Sequence, residues 1–386
     1  MTIFKRRVIL LFVLISTLSF QLFSQRGSND SYLDNVENKE SYLPLYSKSN
    51  DQIVDLIVMA HGGDKRLKYT KDQLKSYVYK HKDVGEIEWL FDGFLFYEDR
   101  TDIGNGHAFE QHAYLFQKDR ARRIEWEWLL DRVFAPGESL SALNELIDSI
   151  SVVKGSPPKR KRKVVLSIPE PLSGQLDWGT LNGKVIDFAN ESDRMSALKW
   201  YIDELIDRFN SIEYEHIELS GFYWLSNTNE LSFELMPAIV SHIKSKEYKF
   251  YWRPSYGRFR GESWKTYGFD AVYLTPDHLT TSWFKKINIE RACTYASVFN
   301  MGLEIDLDNL VRRYPLYQTK FSHYMQVYSE KNVFTKAAMS YKDGDGIFHE
   351  MSQSSNPALH NIYKQVIEKV AVRQKRADIH FETIND

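Results

Sequence analysis

Short apolar runs rich in β-branched and aromatic residues recur along the chain, separated by longer stretches whose apolar positions follow helical spacing. Eight runs read as strands: residues 53–60 (IVDLIVMA), 89–97, 163–169, 216–224 (HIELSGFYW), 249–256, 269–275, 301–307 (MGLEIDL) and 336–341. Between them the spacing predicts helices over residues 125–134, 140–150, 194–209, 235–246 and 307–314, with a last one over 357–372. Strands that alternate with helices pair in parallel through right-handed crossovers, and eight such units close a barrel. The expected fold is therefore α/β, a single (β/α)8 TIM barrel over residues 51–380. Long loops follow strands two and three, at residues 99–123 and 170–193. Both fall on the C-terminal face, where this fold carries its active sites.

Alternation sorts each strand into a face toward the helices and a face toward the barrel axis. In strand seven Leu303, Ile305 and Leu307 share the outer face, which leaves Gly302, Glu304, Asp306 and Asp308 inward. In strand four Ile217 and Leu219 face out, while Glu218, Ser220, Phe222 and Trp224 face in. A carboxylate inside an apolar strand is costly unless paired or hydrogen-bonded. It is explained either by an inward cation, such as Arg253 or Lys336, or by catalysis. Two facing carboxyls let one act as general acid while the other serves as nucleophile or base across a glycosidic bond. On that reading Glu218 is the general acid/base and Glu304 the nucleophile. Glu218 sits early in its strand, whereas catalytic groups belong at the C-terminal ends.

Other residues would line the same face. Strand two offers Asp92 and Glu98 at matching parity, with Asp99 opening the loop, and strand six ends in Thr275-Pro276-Asp277-His278, which puts Asp277 and His278 at the rim. Trp178, Tyr223, Trp224, Trp252, Tyr256 and Tyr341 fall at strand ends or in the loops above them, where flat rings can stack on sugar faces. With Asp306, these are the substrate-binding candidates. Aromatics number 55 (9 Trp, 23 Tyr and 23 Phe), enough to fill a large core and leave a group at such a face.

Other chemistries find little support. The serine-hydrolase elbow G-x-S-x-G is absent, and His349-Glu350 is followed by Met351, Ser352 and Gln353 rather than completing a zinc-binding HExxH. Gly104-Asn105-Gly106 lacks the third glycine of a dinucleotide site. Asp343-Gly344-Asp345-Gly346 begins like a calcium loop without its later ligands, and it reads as a turn. Neither a metal nor an organic cofactor is expected.

The chain has 386 residues, 43% of them hydrophobic and 26% charged, a globular composition. Lys plus Arg is 50 against 52 Asp plus Glu, a balance without the basic footprint of nucleic-acid binding. The basic run at 154–163 reads as a solvated loop. Residues 1–25 have the form of a secretory signal: Lys5, Arg6 and Arg7, then an apolar stretch, then small Ser24 before Gln25. Ser16, Thr17, Ser19 and Gln21 interrupt that stretch, which is short for a membrane span. Its removal takes three basic and no acidic residues and moves the net charge from −2 to −5. Residues 26–50 form a loose polar leader. The single cysteine is Cys293, so no lipid-bearing Cys can follow the signal. The expected location is periplasmic or extracellular, with no lipid anchor and no stable membrane span after cleavage.

Several of these segments carry a resemblance. The runs FDGFLFYE (91–98), VVLSIPEP (164–171), KWYIDELIDRF (199–209), ELSGFYW (218–224), GFDAVYLTPDH (268–278) and MGLEIDLD (301–308) resemble the exported bacterial family of domain of unknown function 4855 (DUF4855). The likeness covers residues 53–368. It implies a glycosidase-like (β/α)8 protein from bacteria that degrade polysaccharides. The sequence departs from the family pattern after Trp224, where Glu230 is the first carboxylate to follow. The expected function is that of an exported glycoside hydrolase-like protein acting on a polysaccharide or oligosaccharide. The alternative is a carbohydrate-binding or surface-assembly protein that keeps the barrel without turnover.

Overall fold

Eight parallel strands close on themselves: β1 (Asp55–Ala60), β2 (Gly93–Tyr97), β3 (Arg162–Ile168), β4 (Ile217–Trp224), β5 (Lys249–Trp252), β6 (Ala271–Leu274), β7 (Gly302–Leu307) and β8 (Met339–Asp343). Each pairs with its neighbour in sequence, and β8 pairs back onto β1. The computed structural model describes residues 41–385 other than 62–65, 83–84, 102–105, 112–118, 227–229, 258–260 and 282. The N-terminal residues 1–40, with the signal and most of the leader, lie outside the described residues, as does Gly104-Asn105.

All eight predicted strands are present, and the barrel is the expected α/β fold. Strand β1 is buried along its whole length, as a parallel strand covered on both faces should be. Helix α1 (Lys71–Val78) follows β1, α2 (Arg123–Val133) and α3 (Ser139–Lys154) follow β2, and α4 (Glu191–Ser211) follows β3. Helices α5 (Met236–Ser245), α6 (Lys286–Val298), α7 (Pro315–Glu330) and α8 (Pro357–Asn385) follow β4, β6, β7 and β8. The helix predicted over 307–314 is one turn, Leu310–Arg313, and the long helix starts beyond it at Pro315. Proline at a first helical position needs no amide donor, so Pro315 restarts the helix.

Register shows which side chains share a face. Glu304 pairs with Ser340 and Asp306 with Lys342, so these four point to one side of the sheet. In β4 the alternation breaks: Leu219 pairs with Val164 but Gly221 pairs with Val165, which makes Ser220 the extra residue of a bulge. The bulge turns Tyr223 inward and sends Phe222 and Trp224 out toward the helices, the reverse of the sequence expectation. Gly221 is required there, because a Cβ would stand 2.0 Å from the Lys249 carbonyl oxygen.

The N-terminal end of the barrel is tied by α8. Arg373 donates to Asp55 (2.7 Å) and to the carbonyls of Val54, Ala337 and Phe334, and Gln374 donates to the other oxygen of Asp55. These contacts carry the helix past the predicted end at 372: the next two residues, Arg373 and Gln374, are buried against the strand ends.

Candidate functional site at the C-terminal mouth

The inward side chains at the C-terminal ends of the strands form a charged layer. At its centre Arg253, just past β5, meets Glu304 of β7 with both nitrogens of its fork, Nε to Oε2 at 2.6 Å and Nη2 to Oε1 at 2.7 Å. Ser340 of β8 donates to the same carboxylate at 2.8 Å. Glu304 is fully buried, so its charge is carried by these donors. The Arg253 guanidinium lies 5.6 Å from the ring centre of Tyr223 and 6.0 Å from that of Tyr97, whose rings meet edge to face.

Two residues further along β7, Asp306 accepts from the Tyr324 hydroxyl and from the Leu279 amide. Burial pushes its carboxyl up to about 8, helped by the negative charge of Asp277. Its register partner Lys342 is half-buried. Burial opposes the Lys342 charge, but the anionic surroundings, Glu304 and Asp306 among them, hold it above the ordinary lysine value.

The rim above this layer carries carboxylates within reach of solvent, Asp99 and Asp277 among them. Asp99 follows β2, where Arg66 bonds it at 3.2 Å and also grips Glu98 (3.0 and 2.9 Å) and pairs with Asp345. Burial opposes the charge of Asp99, yet the Glu98 contact and Arg66 keep its carboxyl below the usual range. Asp277 follows β6 and takes a left-handed backbone, φ 54°, with its amide turned to the Thr275 hydroxyl. Asp tolerates that conformation better than most residues, and such strain clusters at functional sites. In a ring of eight, β2 and β6 are four places apart, so Asp99 and Asp277 stand on opposite sides of the mouth.

The sequence candidates separate into those at this mouth and those elsewhere. Glu304, Asp306, Glu98, Tyr223 and Asp277 belong to it, and Tyr256 sits at its edge against Tyr295. Glu218 does not meet Glu304. It lies at the N-terminal end of β4, 44% exposed in its side chain, paired to Lys163 at 2.8 Å. Asp92 precedes β2 at that same end, accepts from the amides of Val54 and Asp55, and pairs with Arg160. Tyr341 faces outward and donates to Asp55. Trp224 packs outward on Phe250, Trp252 packs on Phe269 and donates to the Ser226 carbonyl, and Trp178 is buried against Trp126. His278 is fully buried beside His323 (3.2 Å), and burial with the nearby Lys320 lowers its pKa to about 3. The side chain of Glu230 lies outside the described residues.

Sequence reasoning passed over Arg66, Tyr97, Tyr324 and Lys342. The alternation of β8 would have found Lys342, two positions past Ser340, had the strand been carried beyond Tyr341. Asp343 shows why: its carboxylate accepts from Tyr69, Tyr77 and the Phe348 amide, anchoring the turn into the helix Ile347–Ser352. Among the described residues, one group could hold a metal by proximity: Asp148, Glu215 and His216 bring ligand atoms within 4.8 Å of one another, at the N-terminal end of β4.

The family model of a domain of unknown function, DUF4855, matches residues 55–368. The chain belongs to this family. No curated protein matches it. Solved structures similar to this DUF4855 chain include TsXylA, an intracellular xylanase from Thermoanaerobacterium saccharolyticum, at 7% identity and TM-score 0.39, covering 78% of this chain and 89% of that one. PbGH5A, a glycoside hydrolase family 5 enzyme from Prevotella bryantii, matches at 12% identity and TM-score 0.37, covering 84% and 99%. A GH5-4 broad specificity endoglucanase from an uncultured bacterium matches at 9% identity and TM-score 0.38, covering 90% and 100%. These likenesses are loose, and the DUF4855 barrel rests on its own strand pairing.

Proposed function

We propose that this chain is an exported glycoside hydrolase-like protein that acts on an oligosaccharide or polysaccharide at the C-terminal mouth of its barrel, with Asp99 and Asp277 meeting the sugar. The observation that carries this reading is the placement of those two rim carboxylates, on strands four places apart, above a buried layer of mutually paired charges. Glycosidic cleavage asks for one ionised and one protonated carboxyl on either side of the bond. Asp99, held ionised by Arg66, takes the part of base or nucleophile. Asp277, across the mouth from Asp99, takes the part of acid. Tyr97 and Tyr256 offer ring faces and hydroxyls beside them. Export rests on the secretory form of residues 1–25.

The fork between Arg253 and Glu304 favours a second reading, in which the barrel binds glycans without turnover. It commits the best-placed inward carboxylate to structure rather than chemistry. Incubation of the purified mature chain with plant, host and bacterial polysaccharides separates the two. Product release that disappears in Asp99→Asn and Asp277→Asn supports the enzyme. Binding without release supports the second reading, and release untouched by both changes would refute the assignment of the site.

A further inference from the structure

Described residues of the two long loops line an open pocket beside the mouth. It measures about 530 Å³ and is lined chiefly by His107, Asp119, Arg120, Arg122, Gln175 and Asp177, none of which belongs to the charged layer of the barrel. That volume falls within the range of small-molecule sites, roughly 300–1,000 Å³.

Its walls are built rather than incidental. Gln175, nearly fully buried, donates to the Ala121 carbonyl (3.1 Å), and Arg120 donates to the Ser173 carbonyl (3.1 Å), so the two loops are cross-linked around the space. The Arg122 amide and guanidinium both donate to Glu125 at the start of α2, which has no exposed surface. Although burial works against its charge, these bonds hold the Glu125 carboxyl below the usual range. His107 stands between acids, with Nδ1 3.1 Å from Glu125 and Nε2 3.6 Å from Asp119. The 3.1 Å approach of Nδ1 to Glu125 lacks hydrogen-bond geometry, which leaves that buried ring nitrogen without a hydrogen-bond partner.

The chemistry of the lining selects a ligand class. Two arginines and two aspartates cancel, so the field favours neither an anion nor a cation. Guanidinium, amide, imidazole and carboxylate groups instead offer alternating donors and acceptors, while Leu176, 67% exposed, supplies an apolar patch on one wall. A neutral ligand dense in hydroxyl groups satisfies such a lining, because each hydroxyl can donate to a carboxylate and accept from a guanidinium.

We infer that this pocket is a second saccharide-binding site, distinct from the mouth, that holds a short neutral segment of the same glycan. The choice of glycan rests on the function proposed above; the pocket and its lining do not. The test is isothermal titration of the mature chain with xylotetraose, cellotetraose and mannotetraose, for wild type, for the pocket variants Asp177→Ala and Asp119→Ala, and for Asp99→Asn at the mouth. Asp177 is exposed, so its replacement leaves the fold intact. The expected result is two sites per chain in the wild type, one of them weakened at least tenfold in the pocket variants and kept in Asp99→Asn. Binding that the pocket variants leave unchanged and Asp99→Asn abolishes would overturn the second site while sparing the mouth. Absence of binding by the wild type to any of the three would overturn both.

Discussion

Arg253 and Glu304 meet fork to fork inside the barrel at 2.6 and 2.7 Å, each almost completely shielded from water. This pair explains how an acidic residue can stand in the middle of an apolar strand. It also fixes the layer on which the rim carboxylates rest.

Removing one partner of a buried pair leaves the other charge uncompensated, at a cost of about 3–5 kcal/mol. Glu304→Gln is expected to destabilise by that order, since Arg253 would keep its charge with a weaker acceptor. Glu218→Gln, at a half-exposed ion pair, should cost less than about 1 kcal/mol. Urea unfolding of the two variants measures the difference, and equal costs would mean that the Arg253 pair is not sealed from water.

Asp306 gives a pH dependence with a definite sign. Its folded pKa, about 8, lies above the unfolded value of 3.8, so the folded state holds the proton more tightly. The contribution is full below pH 4 and is lost as pH rises toward 8. Asp306→Asn, which mimics the protonated form, should therefore gain in Tm relative to wild type between pH 5 and pH 9. A Tm difference that is flat across that range would show that the carboxyl is not raised.

Gly221 lies at the bulge of β4, where an added Cβ would overlap the Lys249 backbone. Gly221→Ala should force β4 and β5 apart and cost at least the roughly 1–3 kcal/mol of an overpacked core. Because Tyr223 depends on the bulge to face inward, the near-ultraviolet circular dichroism of the folded variant should change as well.

Truncation after Val372 removes Arg373 and Gln374, the two side chains that satisfy Asp55 from α8. The shortened chain is expected to lose about 3–5 kcal/mol or fail to fold, since Asp55 is then buried without its cation. Unfolding curves of the truncated and full chains, alongside Arg373→Met, distinguish loss of the ion pair from loss of the helix itself.

These residues also show what sequence can reveal. The strands were legible because parallel strands buried on both faces are continuous apolar runs, as in β1, and Glu304 and Asp306 were legible as inward because β7 alternates without a break. Depth along the axis was legible as well: Glu218 shares the inward face of β4 but opens the strand, which puts it at the N-terminal end, where solvent and Lys163 meet it. The bulge at Ser220 was hidden, since one extra residue reverses parity without altering composition, and it exchanged Tyr223 for Trp224. Arg66 escaped notice because its partners, Glu98, Asp99 and Asp345, are brought to it only by closure of the barrel. The end of α8 was placed too early because Arg373 and Gln374 look like solvent-facing residues and are buried.

The most direct test is the initial rate of reducing-end release by Asp99→Asn, relative to wild type and to Glu218→Gln, on whichever polysaccharide the wild type degrades best. Loss of an acid–base or nucleophilic carboxylate at the mouth should lower that rate by about 10²–10⁴-fold, with Glu218→Gln close to wild type. A rate that Asp99→Asn leaves intact and Glu218→Gln abolishes would contradict the placement of the site at the C-terminal mouth.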